Sequence, residues 1–166
     1  MGTSLHVQAG EGEVFDVLGV AHRILIGGAE TNGEAAVVEI TIPPGTGSPP
    51  HIDRREALVW YVAEGAIDFE TEEGPVRLER GGAIVMKRDS QHGFANTGER
   101  PARALMVAVP AGIEGFFREA ASVLPPGAPA GPPPAEVVGA LAEVAGRYGI
   151  ELSSKDARPV DVAARQ

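Results

Sequence analysis

The sequence contains no cysteine among its 166 residues. Disulfide bonds and thiolate metal sites are therefore excluded. No apolar run approaches the ~20 residues that a membrane-spanning helix needs. Basic residues are also few: 14 Lys and Arg stand against 23 Asp and Glu, which gives a net charge of −9. This balance disfavours nucleic acid and anionic membranes as partners, because both require a basic face.

The first residues, MGTSLHVQAGEGEV, lack the basic region and apolar core of a signal peptide, so the expected location is the cytoplasm. The length favours a single domain. The 22 glycines and 14 prolines separate many short apolar runs, a pattern typical of an antiparallel barrel or sandwich. The patterns predict an arm over 1–12, a barrel over 13–111, a helix over 112–124, a Pro-rich linker over 125–134, a second helix over 135–150 and a tail over 151–166.

Two stretches bring polar residues to the ends of apolar strands. The first, residues 45–65, reads GTGSPPHIDRREALVWYVAEG and places His51 and Asp53 two residues apart. Because alternate residues of a strand point to the same side, we expect these two side chains to project together. The second, residues 81–96, reads GGAIVMKRDSQHGFAN and delivers a single histidine, His92.

These stretches resemble the two motifs of the cupin superfamily. The first fits G-x5-H-x-H-x3,4-E-x6-G as Gly45-x5-His51-x-Asp53-x4-Leu58-x6-Gly65. The second fits G-x5-P-x-G-x2-H-x3-N as Gly81-x5-Lys87-x-Asp89-x2-His92-x3-Asn96. The likeness spans roughly residues 14 to 124 and is strongest to small cupins of the quercetin 2,3-dioxygenase-like group. It implies an all-β fold, the cupin double-stranded β-helix or antiparallel jelly-roll barrel, here with two C-terminal helices.

The resemblance also implies a degenerate metal site. Only His51 and His92 keep the ligand identity of the family, since Asp53 replaces the second histidine and Leu58 replaces the glutamate. Two imidazoles and one carboxylate form the facial set of non-haem iron oxygenases, so we expect one divalent ion (Fe, Ni, Mn or Zn). The alternative is a metal-free polar cluster in which Asp53 hydrogen-bonds a histidine.

Two further carboxylates are candidates near this set. Glu56 lies two residues before the missing ligand and is interpreted as part of a solvated corner, with a ligand role as the alternative. Glu39 lies in an apolar strand and is a candidate catalytic acid or base, unless its side chain faces solvent.

Apolar side chains of the motif strands are candidates for a substrate pocket suited to a flat molecule, with plain barrel core as the alternative. They are Leu58, Trp60, Met86 and Phe94.

Three functions remain open from the residues. The first is an oxygenase-like metal enzyme that acts on a small hydrophobic molecule, such as an aromatic or polyketide, with His51, Asp53 and His92 as ligands. The second is a metal-independent lyase, isomerase or cyclase in which Asp53 and a histidine transfer a proton. The third is a non-catalytic cupin that binds a small organic ligand. A homodimer is expected in each case, because an open sheet edge invites pairing.

Overall fold

The computed structural model describes residues 4–128 and 133–153. Eleven strands and two helices are present in this part of the chain. The strands are β1 (Glu13–Val17), β2 (Val20–Ile26), β3 (Ala36–Ile42), β4 (Gly47–Asp53), β5 (Ala57–Glu64), β6 (Ala66–Thr71), β7 (Gly74–Glu79), β8 (Ala83–Met86), β9 (Gln91–Ala95), β10 (Ala102–Val109) and β11 (Ile150–Leu152). The helices are α1 (Ile113–Val123) and α2 (Ala135–Arg147).

The strands form two antiparallel sheets. The larger sheet has the order β1-β2-β3-β10-β5-β8, and the smaller has the order β11-β4-β9-β6-β7. Strands that neighbour one another in a sheet are often distant in sequence, as β3 and β10 are, which is the crossing pattern of a jelly roll. The predicted all-β fold with two C-terminal helices is confirmed.

The alternation of side chains along the strands builds the core between the sheets. In β5, Leu58, Trp60 and Val62 are buried, whereas Val59 and Tyr61 are 43% and 48% exposed. Each large apolar side chain removed from water contributes roughly 1.5–3 kcal/mol, so one inward face stabilises both sheets at once. The inward set of β5 meets aromatic residues of the smaller sheet: the Trp60 ring lies 4.9 Å from that of Phe94.

The helices cover one side of the barrel. Helix α1 buries Ile113, Phe117 and Ala120, and the ring of Phe117 stacks on His22 of β2 at 4.0 Å. Helix α2 packs its buried residues Leu141 and Val144 in one cluster with α1. Neither described helix has the length and apolar character required to cross a membrane.

The carboxy-terminal end differs from the sequence prediction. Helix α2 ends at Arg147, and Gly149 adopts a φ of 73°, which turns the chain into strand β11. That strand pairs with β4, with Ile150 opposite Asp53 and Leu152 opposite His51. The second helix is therefore shorter than expected, and the predicted tail begins as part of the smaller sheet.

Parts of the predicted arm, linker and tail lie outside the described residues, namely 1–3, 129–132 and 154–166. The described portion of the arm, residues 4–12, forms no strand.

Candidate functional site

Strands β4 and β9 bring His51, Asp53 and His92 to one place. The two strands are antiparallel neighbours, and His51 lies directly opposite His92. Asp53 lies two residues beyond His51 and therefore shares its face. One ligand atom from each of the three side chains lies within 4.8 Å of the others. The two imidazole rings meet edge to face, with centroids 4.6 Å apart.

Backbone carbonyls fix the tautomer of both histidines. His51 Nδ1 lies 2.8 Å from the carbonyl oxygen of Pro49, and His92 Nδ1 lies 3.0 Å from that of Ser90. A carbonyl oxygen only accepts, so each Nδ1 carries the hydrogen and each neutral ring keeps its lone pair on Nε2. Metal-bound histidines are oriented in this manner, with the second ring nitrogen donating to a carbonyl or carboxylate.

Asp53 is fully buried, and neither of its carboxylate oxygens has a hydrogen-bond partner among the described residues. Its Oδ2 lies 3.0 Å from His92 Nε2 and 3.7 Å from His51 Nε2. Neither Asp53 Oδ2 nor His92 Nε2 has a hydrogen-bond partner among the residues that the structure describes, so the shorter contact is not a hydrogen bond. Three lone-pair donors that face one another across a buried space are costly unless a cation or proton lies between them.

The protonation state of His51 supports the cation. Burial lowers the pKa of His51 below its ordinary value, and the nearby His92 lowers it further, although Asp53 opposes both effects. His51 is therefore neutral near pH 7 and presents a lone pair. Two imidazoles and a buried carboxylate fit a divalent transition metal, so the donor set suits the ion that the sequence predicts.

Hydrogen bonds between exposed charged side chains connect the segments around the site. The guanidinium of Arg54 hydrogen-bonds Glu151 of β11 at 2.9 Å and 2.8 Å, and Asp89 at 3.1 Å. The amide of Asp89 donates to the carbonyl oxygen of Asp53 at 2.9 Å. Asp89 lies in the turn that leads into β9, so this cluster joins the three segments that flank Asp53 and His92.

Glu56 is not part of a solvated corner, as the sequence suggested. Its side chain is 2% exposed, and its Oε2 has no hydrogen-bond partner among the described residues. Burial raises the pKa of Glu56 to about 7, and the charge of Asp53 raises it in the same direction. Period two would have revealed this orientation, because Glu56 shares the parity of the inward-facing Leu58. Glu56 lies outside the group of three candidate ligands.

The structure does not bring Glu39 to this cluster. Glu39 lies on the outward face of β3, with 31% of its side chain exposed. It lies 3.5 Å from Arg23 and 3.6 Å from Arg103. Its side chain therefore faces solvent, which is the alternative given for Glu39 from the sequence.

The four candidate pocket residues all lie in the main core. Leu58, Trp60, Met86 and Phe94 are each buried and belong to one apolar cluster between the sheets. Leu58 thus faces the interior where the cupin motif has a glutamate.

A cleft of about 400 Å³ opens beside His92 instead, lined by Pro50, Glu70, Thr71, Glu72 and Gln91 among others. Sequence reasoning missed these residues, because the β6–β7 hairpin carries no motif. The pairing of Thr71 with His92 is visible only in the folded sheet.

Comparison with known families agrees with the fold and the motifs. Residues 38–108 match the family described as "Cupin domain". The match supports an assignment to the cupin superfamily. These residues include all three members of the His-Asp-His cluster. The narrower resemblance to the quercetin dioxygenase-like group stays a prediction, and no curated protein matches the sequence.

Several solved structures share the architecture. KdgF from a Halomonas species is 23% identical with a TM-score of 0.60, covering 68% of this chain and 98% of that one. The polyketide cyclase RemF from Streptomyces resistomycificus is 22% identical with a TM-score of 0.58, covering 64% and 80%. An RmlC-like cupin from Shewanella frigidimarina is 23% identical with a TM-score of 0.55, covering 67% and 96%. At these identities the likeness is one of fold.

Proposed function

We propose that this cupin is an oxygenase-like enzyme that holds one divalent metal ion through His51, Asp53 and His92 and acts on a small hydrophobic molecule. The observation that carries the proposal is the buried carboxylate of Asp53, which has no hydrogen-bond partner among the described residues and faces two Nε2 lone pairs. An ion at that point would satisfy all three groups at once.

The residues around the cluster have defined tasks in this proposal. A bound ion supplies Lewis acidity and, if it is iron, redox chemistry. The carbonyls of Pro49 and Ser90 hold the two rings in the ligating tautomer. Trp60 and Phe94 are buried in the core between the sheets, with their ring centroids 4.9 Å apart. Three protein ligands would leave part of the coordination sphere of such an ion free for substrate oxygen atoms.

The proposal of a hydrophobic substrate rests on the apolar interior and on the shared fold with a protein described as a polyketide cyclase. Fold alone does not define a substrate, so the chemistry of the site must be tested first.

The second candidate function is a metal-independent lyase, isomerase or cyclase. The close contact of Asp53 with His92 and the nearby buried Glu56, whose pKa is raised to about 7, favour it. A carboxyl group that titrates near the working pH suits general acid–base catalysis. In this case a proton, not an ion, would lie between Asp53 and the histidine.

Metal content separates the two candidates. We expect the purified protein to contain about one equivalent of a divalent metal, and the chelator-stripped protein to gain thermal stability on addition of Fe(II), Ni(II), Mn(II) or Zn(II). His92→Ala should abolish this gain. His6→Ala is the matched control, because His6 is exposed and distant in sequence from both motifs.

Other outcomes select other functions. If the wild type purifies without metal and no added ion raises its melting temperature, the metal proposal is refuted. Turnover that persists without metal and requires Asp53 would identify proton-transfer chemistry. Ligand binding without any activity that depends on these residues would identify a non-catalytic cupin.

A further inference from the structure

The outward face of the larger sheet carries an exposed apolar surface. Nine large apolar side chains are exposed in the described part of the chain, and four of them lie on this face, in the neighbouring strands β8, β5 and β10: Val59, Tyr61, Val85 and Val109. The strand register places Val85 and Val107 on either side of Val59, and Val37 beyond Val107. These four valines, here called the valine row, cross four strands side by side. A contiguous apolar surface of this kind marks an interaction site.

The charge on this face is balanced. A second row beside the valine row continues the apolar surface through Tyr61 and Leu105 and reaches Glu39. The carboxylate of Glu39 lies 3.5 Å from Arg23 and 3.6 Å from Arg103, so its negative charge is compensated. The whole chain carries a net charge of −9. A second copy of so acidic a chain can approach closely only where acidic groups are compensated, as Glu39 is.

We propose that this face binds a second copy of the chain, with the two larger sheets packed face to face about a two-fold axis. A two-fold axis places the same surface on both sides of a contact, so each valine row lies on that of the partner. The centre of the row lies between Val107 and Val59, which brings Val59 of each copy close to the axis. A strongly basic or acidic partner would find no uncompensated charge at Glu39 to bind. The sheet face thus takes the place of the open sheet edge that the sequence suggests for a homodimer.

The size of the face suits a dimer of moderate affinity. Four strands spaced at about 4.8 Å are about 19 Å wide, and seven residues, the length of β3, extend about 24 Å. The projected contact is therefore roughly 450 Å², and the relief of the side chains adds to the accessible area that is buried. A specific interface of standard size buries about 800 Å² on each partner. We therefore expect a dimer that dissociates in the micromolar range.

Substitutions at the centre of the valine row test the proposal. Sedimentation equilibrium of the full chain, from about 1 to about 100 µM, should show the mass of wild type rising from 17.2 kDa toward twice that value. Val59→Lys places two like charges near the axis, and Val59→Glu does the same with the opposite sign. Each variant alone should dimerise at least about a hundredfold more weakly than wild type. An equimolar mixture of the two should associate again, because a lysine then faces a glutamate.

Two lysine variants at other exposed valines are the matched controls. Val76→Lys lies on β7 of the smaller sheet and Val138→Lys on α2, and both should dimerise as wild type does. Circular dichroism establishes that each variant is folded. Recovery of the dimer in the mixture supports the proposal, since misfolded chains would not recover it. The proposal is overturned if wild type is monomeric throughout the range, if the dimer survives Val59→Lys, if the two oppositely charged variants do not associate, or if the controls dissociate equally.

A dimer that survives Val59→Lys would instead indicate pairing through a sheet edge. Val59 lies on β5, which β8 separates from the edge of the larger sheet. Edge pairing through β8 would leave the two β5 strands three strand spacings apart, about 14 Å, so that the lysines would not meet. The same experiment therefore distinguishes contact through the face from contact through this edge.

Discussion

The buried carboxyl of Glu56 predicts how the stability of this protein depends on pH. Its pKa is raised from 4.5 to about 7, chiefly by burial and then by the charge of Asp53. One pKa unit corresponds to about 1.4 kcal/mol. The difference of about 2.5 between the folded and unfolded states therefore corresponds to about 3 kcal/mol in the free energy of unfolding. The side chain is 2% exposed, so solvent does little to reduce this figure.

The sign follows from the proton inventory of the two states. Between pH 4.5 and about 7 the folded protein keeps a proton on Glu56 that the unfolded chain has lost. The contribution of Glu56 to the free energy of unfolding is therefore highest below pH 4.5, falls by about 3 kcal/mol as the pH rises through 7, and is level above that. The Glu56→Gln variant lacks this pH-dependent contribution, because an amide does not ionise between pH 4.5 and 8.

The measurement is urea denaturation of metal-free protein in the presence of chelator, followed by the fluorescence of Trp60, the single tryptophan. We expect the stability of Glu56→Gln relative to wild type to increase by about 3 kcal/mol between pH 4.5 and pH 8. Glu73→Gln, at an exposed position, should show no such trend. A difference between Glu56→Gln and wild type that does not change with pH would refute the reasoning, and so would a change of opposite sign.

Three other predictions follow from buried or exposed positions. Leu58→Glu should destabilise the metal-free protein, because it buries an unpaired carboxylate. Added divalent metal should raise the melting temperature of this variant more than that of wild type. Equal increases in the two proteins would contradict a metal near Leu58. Burial lowers the pKa of His22 from 6.5 to about 4, so stability is lost as the pH falls through this range, and in His22→Phe this loss should be absent from acid denaturation curves. Because Val59 and Tyr61 form exposed apolar surface, we expect light scattering to give about twice the 17.2 kDa chain mass and Tyr61→Lys to reduce it; a monomeric wild type would oppose a homodimer.

The sequence predicted those parts of the molecule that depend on short spacings. The two-residue separation of His51 and Asp53 set their common face, whereas His92 was assigned to the same site only through the resemblance to the second cupin motif. The alternation of side chains along β5 predicted that the side chain of Trp60 faces the interior. These features follow from strand geometry, which is local.

Features that depend on distant pairing were not visible. Strand β11 has three residues and gains its order from β4, almost a hundred positions earlier in the chain. The cleft beside His92 arises because β6 and β9 are neighbours in the sheet, which no single segment encodes. Glu56 was judged by its charged sequence neighbours, although tertiary packing against Gly112, which precedes α1, removes it from water: a Cβ at Gly112 would lie 3.0 Å from Glu56 Oε1.

The positions of Leu58 and Glu56 give the site a different carboxylate arrangement from the cupin motif. Glu56 lies outside the group of three candidate ligands, so the structure does not put its carboxylate in the place of the missing glutamate. It nevertheless lies close enough for Asp53 to raise its pKa. In the absence of a cation, the charge of Asp53 opposes the ionisation of Glu56. A divalent ion on Asp53 would compensate both negative charges. Metal binding should therefore also reduce the loss of stability that ionisation of Glu56 causes. In that case the pH dependence attributed to Glu56 should weaken when metal is present. If it were unchanged in protein shown to bind metal, the ion and Glu56 would not be electrostatically coupled, and the role of Glu56 in the site would have to be rejected.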